Sequence, residues 1–288
     1  MHKKISGAAY DIAFDETNGR FFLLSERSVR VFHVHNHQKI ATLQDIANPN
    51  QIIISPKNGM IAVKSTTGAF AFYSLDSLKL LGCIRLSGDN STDSAFYYDE
   101  EENALYGITH KGLTQWLYRV FPEKLSCSEI PLPKAPIEPF DGEKPVTRYT
   151  LHKYTRGEFY LLCDVYDVGC SRRIYECSYG RYALQDQTLV CREKYQTTNE
   201  HHLSLLDITE PMAYRRFLSF CNREKLASHT VKSYRKDGRL FFITHQGVYR
   251  EEETETFQTV YQAEYISDYA EFQGRRYICT WNWCLIEE

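Results

Sequence analysis

The feature that most constrains this chain is a short unit that keeps returning. A turn, a hydrophobic run, a small polar turn and an alternating run read GRFFLLSERSVRVF from Gly19, GMIAVKSTTGAFAFY from Gly59 and NALYGITHKGLTQWLY from Asn103. The same order reads GRLFFITHQGVYRE from Gly238 and GRRYICTWNWCLIEE from Gly274. Two looser copies are GEFYLLCDVYDVGCSRRIYE from Gly157 and HHLSLLDITEPMAYRRFLSF from His201. The hydrophobic runs begin at Phe21, Met60, Ala104, Phe159, His202, Leu240 and Tyr277, so successive steps are 39, 44, 55, 43, 38 and 37 residues. Those steps bracket the roughly 40–45 residues of a four-stranded propeller blade.

Each hydrophobic run is flanked by further β-like segments, such as Tyr10–Phe14 and Ile52–Ser55 before it, and SVRVFHVHNHQKIATL from Ser28 or GAFAFYSLDSLKLLGCIRL from Gly68 after it. Four strands per unit follow. The near-continuous apolar second strand suits a sheet packed on both faces by its neighbours. The last unit runs out at Glu288 after three strands, and HKKISG at the N-terminus resembles the fourth strands QKIATL from Gln38 and LKLLGCI from Leu78. The expectation is therefore all-β: a single closed β-propeller over residues 1–288, with the N-terminal strand completing the last blade. Seven blades are favoured. Six remain open, because the unit from His201 is degenerate. Closure removes sheet edges that an open array would expose.

At these residues the chain resembles WD40 and YVTN-type propellers. Ser28–Leu43 looks like the third and fourth strands of a WD40 blade, and the run from Gly68 looks like a YVTN-type blade. The resemblance covers essentially the whole chain and is architectural. The Trp-Asp dipeptide and its preceding Gly-His are missing, so the WD40 hydrogen-bond tetrad maps onto no position here.

Composition narrows the class. Aromatics, at 21 Tyr, 16 Phe and 3 Trp, favour pleated surfaces. A net charge of −3 lacks the basic footprint of a nucleic-acid protein, and the Arg-Arg pairs at 172–173, 215–216 and 275–276 are scattered. The N-terminus is too weakly apolar for a secretory leader, and no run reaches the ~20 apolar residues of a membrane span. The nine cysteines form no C-x-x-C pair, and Cys83, Cys163, Cys221 and Cys279 lie in hydrophobic runs. Free, mostly buried thiols in a reduced, cytoplasmic compartment are expected, with no structural zinc and no cofactor.

Candidate sites follow from the repeat. His33, His35 and His37 alternate as metal ligands do, but His35–Gln38 falls on the hairpin between third and fourth strands and reads as a solvated turn. His201 and His202 are adjacent and point to opposite faces. The turns after each second strand carry Glu26 and Arg27, Thr66 and Thr67, His110 and Lys111, Asp164 and Asp167, His245 and Gln246, and Trp281 and Asn282. In the resembled families these turns share one face, around the channel mouth that usually binds ligands. The segment Ile130–Pro145 holds five prolines and reads as a stiff excursion between blades on that face, with Phe140 as its large aromatic. Glu251–Glu255 reads as a solvated hairpin.

No nucleophile elbow, P-loop, H-E-x-x-H or EF-hand spacing occurs, and no catalytic or metal residue is assigned. The expected function is a monomeric, non-enzymatic module that binds another protein through Arg27, His110, Lys111, Phe140, His245, Gln246 and Trp281, with no nucleic acid and no membrane as partner. The alternative is a propeller enzyme, a lactonase-like hydrolase at the channel mouth. That reading needs convergent carboxylates or histidines.

Overall fold

The repeat signature has a backbone cause. The residue that opens six of the seven quoted copies turns the chain with positive φ: Gly19 at 59°, Gly59 at 57°, Asn103 at 47°, Gly157 at 80°, Gly238 at 76° and Gly274 at 75°. Glycine and asparagine enter that region at low cost, so the first-to-second-strand hairpin is written the same way six times. The computed structural model describes residues 2–86, 95–111, 114–133, 144–167, 172–196, 211–252 and 256–288.

Six four-stranded antiparallel sheets result, and the architecture is that of a β-propeller. Strand β1 is His2–Ser6. Blade 1 follows with β2 (Asp11–Asp15), β3 (Arg20–Leu24), β4 (Val29–His33) and β5 (Lys39–Leu43). Blade 2 has β6 (Pro49–Ser55), β7 (Met60–Ser65), β8 (Ala69–Ser74) and β9 (Leu80–Arg85). Blade 3 has β10 (Tyr97–Asp99), β11 (Ala104–Lys111), β12 (Thr114–Phe121) and β13 (Ser126–Pro131). Blade 4 has β14 (Pro145–Thr155), β15 (Glu158–Asp167), β16 (Arg172–Gln185) and β17 (Thr188–Gln196). Helix α1 (Pro211–Glu224) precedes blade 5, which is β18 (Thr230–Lys236), β19 (Arg239–Thr244), β20 (Gly247–Glu251) and β21 (Phe257–Gln262). Blade 6 is β22 (Ile266–Phe272), β23 (Arg275–Thr280) and β24 (Trp283–Glu287), completed by β1, which pairs antiparallel with β24 from His2↔Glu287 to Ser6↔Trp283.

The N-terminal strand thus closes the last blade as its sequence suggests. Among the described residues the blades number six where seven are favoured from sequence, and the described part of the fifth unit, read from His201, is not a blade. Residues 201–210 lie outside the described set, and 211–224 are helical. The reason is periodicity: Ala213, Phe217, Phe220 and Cys221 recur at helical spacing and are all buried. Pro211 suits the first helical position. The helix stops at a Schellman turn, with Lys225 at φ 56° and the Leu226 N–H donating to the Cys221 carbonyl at 2.9 Å.

By contacts the chain divides into two compact units, residues 1–83 with 206–288, and residues 84–205. In the first unit the second strands β3 and β7 are buried along their whole length. Their alternate side chains pack against the blades on either side. Phe22, Leu24, Ile61 and Val63 form one core, while Phe21, Leu23, Tyr277 and Cys279 form another. Blade 5 splits in the same way. Phe241 and Ile243 face blade 6, whereas Phe242, Tyr249 and Phe257 face α1, where Phe217 stacks on Phe242 with centroids 4.4 Å apart. The first strands β18, β22, β2 and β6 contact one another in succession, so they are the inner strands.

In the second unit β11, β12, β14 and β15 share a core of Tyr106, Leu117, Tyr149, Leu161 and Val165. Gln115 stitches the two blades together. Its amide accepts from the Tyr149 N–H at 2.6 Å and donates to the Tyr149 carbonyl at 3.0 Å, as a neighbouring strand would.

Candidate interaction face

In the first unit the turns after the second strands are closed by hydroxyls. Ser25 Oγ donates to the Ser28 carbonyl at 2.7 Å, and Ser65 Oγ accepts from the Thr67 N–H at 3.1 Å. Thr244 Oγ1 accepts from the Gly247 N–H at 3.0 Å, and Thr280 Oγ1 accepts from the Trp283 N–H at 3.0 Å while donating to the Trp283 carbonyl at 2.9 Å. Such local hydroxyl bonds favour turns over continued strand. Two of these turns also hold the entry to the next blade: Ile266 N–H donates to the His245 carbonyl at 3.1 Å, and Ala9 N–H to the Thr280 carbonyl at 3.0 Å.

This stitching fixes a row of aromatic rings at one end of the first unit. His229 stacks on His245 at 5.6 Å, His245 meets Trp281 edge-on at 5.1 Å, and Trp281 stacks on Tyr265 at 5.5 Å. Trp281 is 48% exposed, Tyr265 49% and nearby Tyr10 37%. Tyr265 sits in the left-handed region at φ 60°, anchored by its carbonyl, which accepts the Trp281 N–H at 3.2 Å. The His245 ring nitrogen Nδ1 lies 3.1 Å from the Ile266 carbonyl, which fixes that ring.

Beneath the turns, the inner strands carry Lys232, Asp268, Asp11 and Gln51, each opposite the residue that precedes the turn-closing Thr or Ser. Lys232 Nζ donates to Asp268 at 2.8 Å and to Asp11 at 2.9 Å, linking blades 5, 6 and 1. The carboxylates also bind the backbone of the following blade. Asp268 Oδ2 accepts from the Ile12 N–H at 3.0 Å and Asp11 Oδ2 from the Ile52 N–H at 3.1 Å. Burial pushes the Asp268 carboxyl up to about 7, because the pull of Lys232 is offset by the neighbouring charge of Asp11. Burial also opposes ionisation of Asp11, but the Lys232 ammonium and the hydrogen bonds outweigh it and hold that carboxyl below the usual range. For Lys232, burial is outweighed by the two carboxylates, which keep the ammonium charged.

The residues read from sequence are placed as follows. Arg27 and Gln246 are exposed on their turns, His245 is half-buried among the rings, and Trp281 is exposed, all at the same end of the first unit. His110 and Lys111 belong to the second unit. There they are the last residues of β11, paired with Gln115 and Thr114. Asp164 is not a turn residue: it lies inside β15 opposite Cys177 and Arg148, and is buried. Phe140 lies outside the described residues, in the stretch between Pro131, which ends β13, and Pro145, which begins β14. His35 and His37 lie on the β4–β5 hairpin, at the opposite end of blade 1 from Arg27. Cys83 was expected to be buried, but it is exposed because β9 is an outer strand with most side chains facing solvent.

Sequence reasoning missed Tyr265, His229 and the Lys232–Asp11–Asp268 cluster. One signal was available, since Asp11-Ile12-Ala13 and Asp268-Tyr269-Ala270 repeat a D-x-A pattern in the first strands of the first and last blades. Among the described residues no group of three or more His, Cys, Asp or Glu side chains is arranged to hold a metal ion. No helix is long and apolar enough to cross a membrane, again among the described residues.

No protein-family model matches the chain, and no curated protein matches it. Among solved structures, the WD40 domain of Toxoplasma gondii coronin is similar at 10% identity with a TM-score of 0.51, covering 97% of this chain and 68% of that one. At such identity the likeness shows the fold, a WD40-type β-propeller. With 1053 solved chains matching in structure, the fold alone selects no function.

Proposed function

We propose that the chain is a non-enzymatic protein-binding propeller that docks a partner at the end of the first unit bearing Tyr265 and Trp281. One observation carries this reading. Two large aromatics, each about half exposed, are stacked on each other and held by backbone hydrogen bonds between rigid blades. Preordered Trp and Tyr side chains bury much area at small rotamer cost and dominate interface energetics. Arg27, His245 and Gln246 supply a polar rim. WD40-type propellers commonly mediate protein interaction, which favours this reading over hydrolysis. Both channel-side aspartates are engaged by Lys232 and by backbone N–H groups. None of the seven cysteines whose side chains are described is in a disulfide, which is compatible with a reducing setting.

Quantitative affinity capture from the native host tests the proposal, comparing wild type with Trp281→Ala/Tyr265→Ala and with His35→Ala/His37→Ala. A specific partner should be retained by the histidine variant and lost by the aromatic one, each aromatic contributing on the order of 1–3 kcal/mol. Equal capture by wild type and the aromatic variant would contradict it.

A further inference from the structure

Blade 6 contains two thiols that face one another. Cys279 on β23 and Cys284 on β24 are direct partners in the antiparallel ladder, and their Sγ atoms lie 3.9 Å apart. Both are fully buried, and neither is in a disulfide. Directly opposed residues of an antiparallel pair have Cα atoms about 4.5–5.5 Å apart, inside the roughly 4.4–6.8 Å that a disulfide spans. Bridging therefore needs side-chain rotation and no displacement of either strand. The residues between them, 280–283, are the turn that presents Trp281, already closed once by the Thr280 hydroxyl.

We propose that Cys279 and Cys284 form an oxidisable dithiol, which a peroxide converts to a disulfide that staples the Trp281 turn at its base. One thiol, as its thiolate, attacks a peroxide oxygen. The O–O bond breaks, giving a sulfenic acid and a hydroxide that takes up the displaced proton as water. The second thiolate attacks the sulfenic sulfur, forming the S–S bond and expelling a second hydroxide, which leaves as water with the second proton. Two thiols and one hydrogen peroxide give one disulfide and two waters, with two electrons passing from sulfur to oxygen.

The surroundings gate this reaction. The hydrogen bond to Cys284 and burial both push the Cys279 thiol up, so it stays protonated while the blade is closed. The thiolate is the nucleophile, so the pair reacts when β24 opens. The other neighbour of β24 is the terminal strand β1, with Ile5 opposite Cys284, so fraying of β1 is the route by which oxidant enters. The dithiol follows from this geometry alone and stands whether or not the turn docks a partner.

Mass spectrometry of the full chain tests it. The native protein is treated with hydrogen peroxide, quenched, alkylated with iodoacetamide under denaturing conditions and digested with trypsin. No Lys or Arg follows Arg276, so one peptide, residues 277–288, carries both cysteines. The expected result is a peptide that has lost two hydrogens and accepts no alkyl group until it is reduced, after which it accepts two. Exposed Cys83 and Cys191 serve as internal controls for oxidant action. If they are oxidised while residues 277–288 still take two alkyl groups, or carry sulfinic or sulfonic acid with no reducible form, the dithiol is overturned.

Discussion

At Asp268 three donors converge on one buried carboxylate: Ile12 N–H at 3.0 Å, Tyr269 N–H at 2.8 Å and the Lys232 ammonium at 2.8 Å. The groups facing it are Lys232 on β18, Asp11 on β2, and Tyr234 and Cys279, whose own proton affinities are raised. With a folded value near 7 against roughly 3.9 when unfolded, the fold prefers the protonated acid. Its stabilising contribution is complete below about pH 4 and is lost as pH rises through 7. Asp11 is held low, so its contribution runs the other way, present above about pH 4 and lost in acid. Asp268→Asn cannot lose that proton. The melting temperature of wild type relative to the variant should therefore fall between pH 5 and pH 8, with histidine titrations common to both cancelling. A difference that stays flat across that window in a scanning-fluorimetry series would refute the assignment. Only the repeated D-x-A pattern at Asp11 and Asp268 points to this cluster, because its contacts are long-range: Ile12 and Asp268 are 256 residues apart. Trp281 could be placed on a turn from the repeat. Its exposure, and its stacking on Tyr265 from the preceding connection, depend on neighbours that sequence spacing does not name.

At the scale of elements, the second strands were readable because burial on both faces leaves a continuous apolar run, as in RFFLL of β3. Outer strands were less so. Cys83 sits in an apolar stretch, yet β9 is the edge of its sheet, and edge strands keep apolar side chains in solvent. The segment from His201 has the apolar content of a blade, and only the period of its apolar residues sets it apart. The helical spacing of Ala213, Phe217, Phe220 and Cys221 is the distinguishing signal. Helix α1 covers one face of blade 5, with Phe217 in contact with Phe242, Tyr249 and Phe257, and Arg216 paired with Glu251 at 2.7 Å. Phe217→Ala should cost about 3–5 kcal/mol in chemical denaturation. A loss below ~1 kcal/mol would mean the helix does not cap that sheet. The terminal strand is equally specific. Deleting residues 1–6 removes the β1–β24 ladder and bares an edge. At ~1 kcal/mol net per ladder bond the loss is roughly 3–5 kcal/mol, or about 10 °C in melting temperature. Unchanged melting and monodispersity in the truncated protein would contradict closure by β1.

For the molecule as a whole, the repeat made the propeller legible even though identity to the coronin WD40 domain is 10%. Blade architecture is carried by period, turn residues and burial pattern, which survive when nearly every side chain differs. Function is not carried that way. It resides in the few residues that a scaffold brings together, and the docking proposal rests on the ring row His229–His245–Trp281–Tyr265 from blades 5 and 6 and the connections that lead into them. The central claim is that this end of the first unit is where a partner docks. Hydrogen exchange of the free protein and of its complex with the captured partner tests it most directly. Protection should appear in residues 9–11, 25–28, 245–247, 265–267 and 281–283, with the β4–β5 hairpin around His35 and His37 unchanged. Protection confined to that hairpin, with the Tyr265–Trp281 turns exchanging as in the free protein, would contradict it.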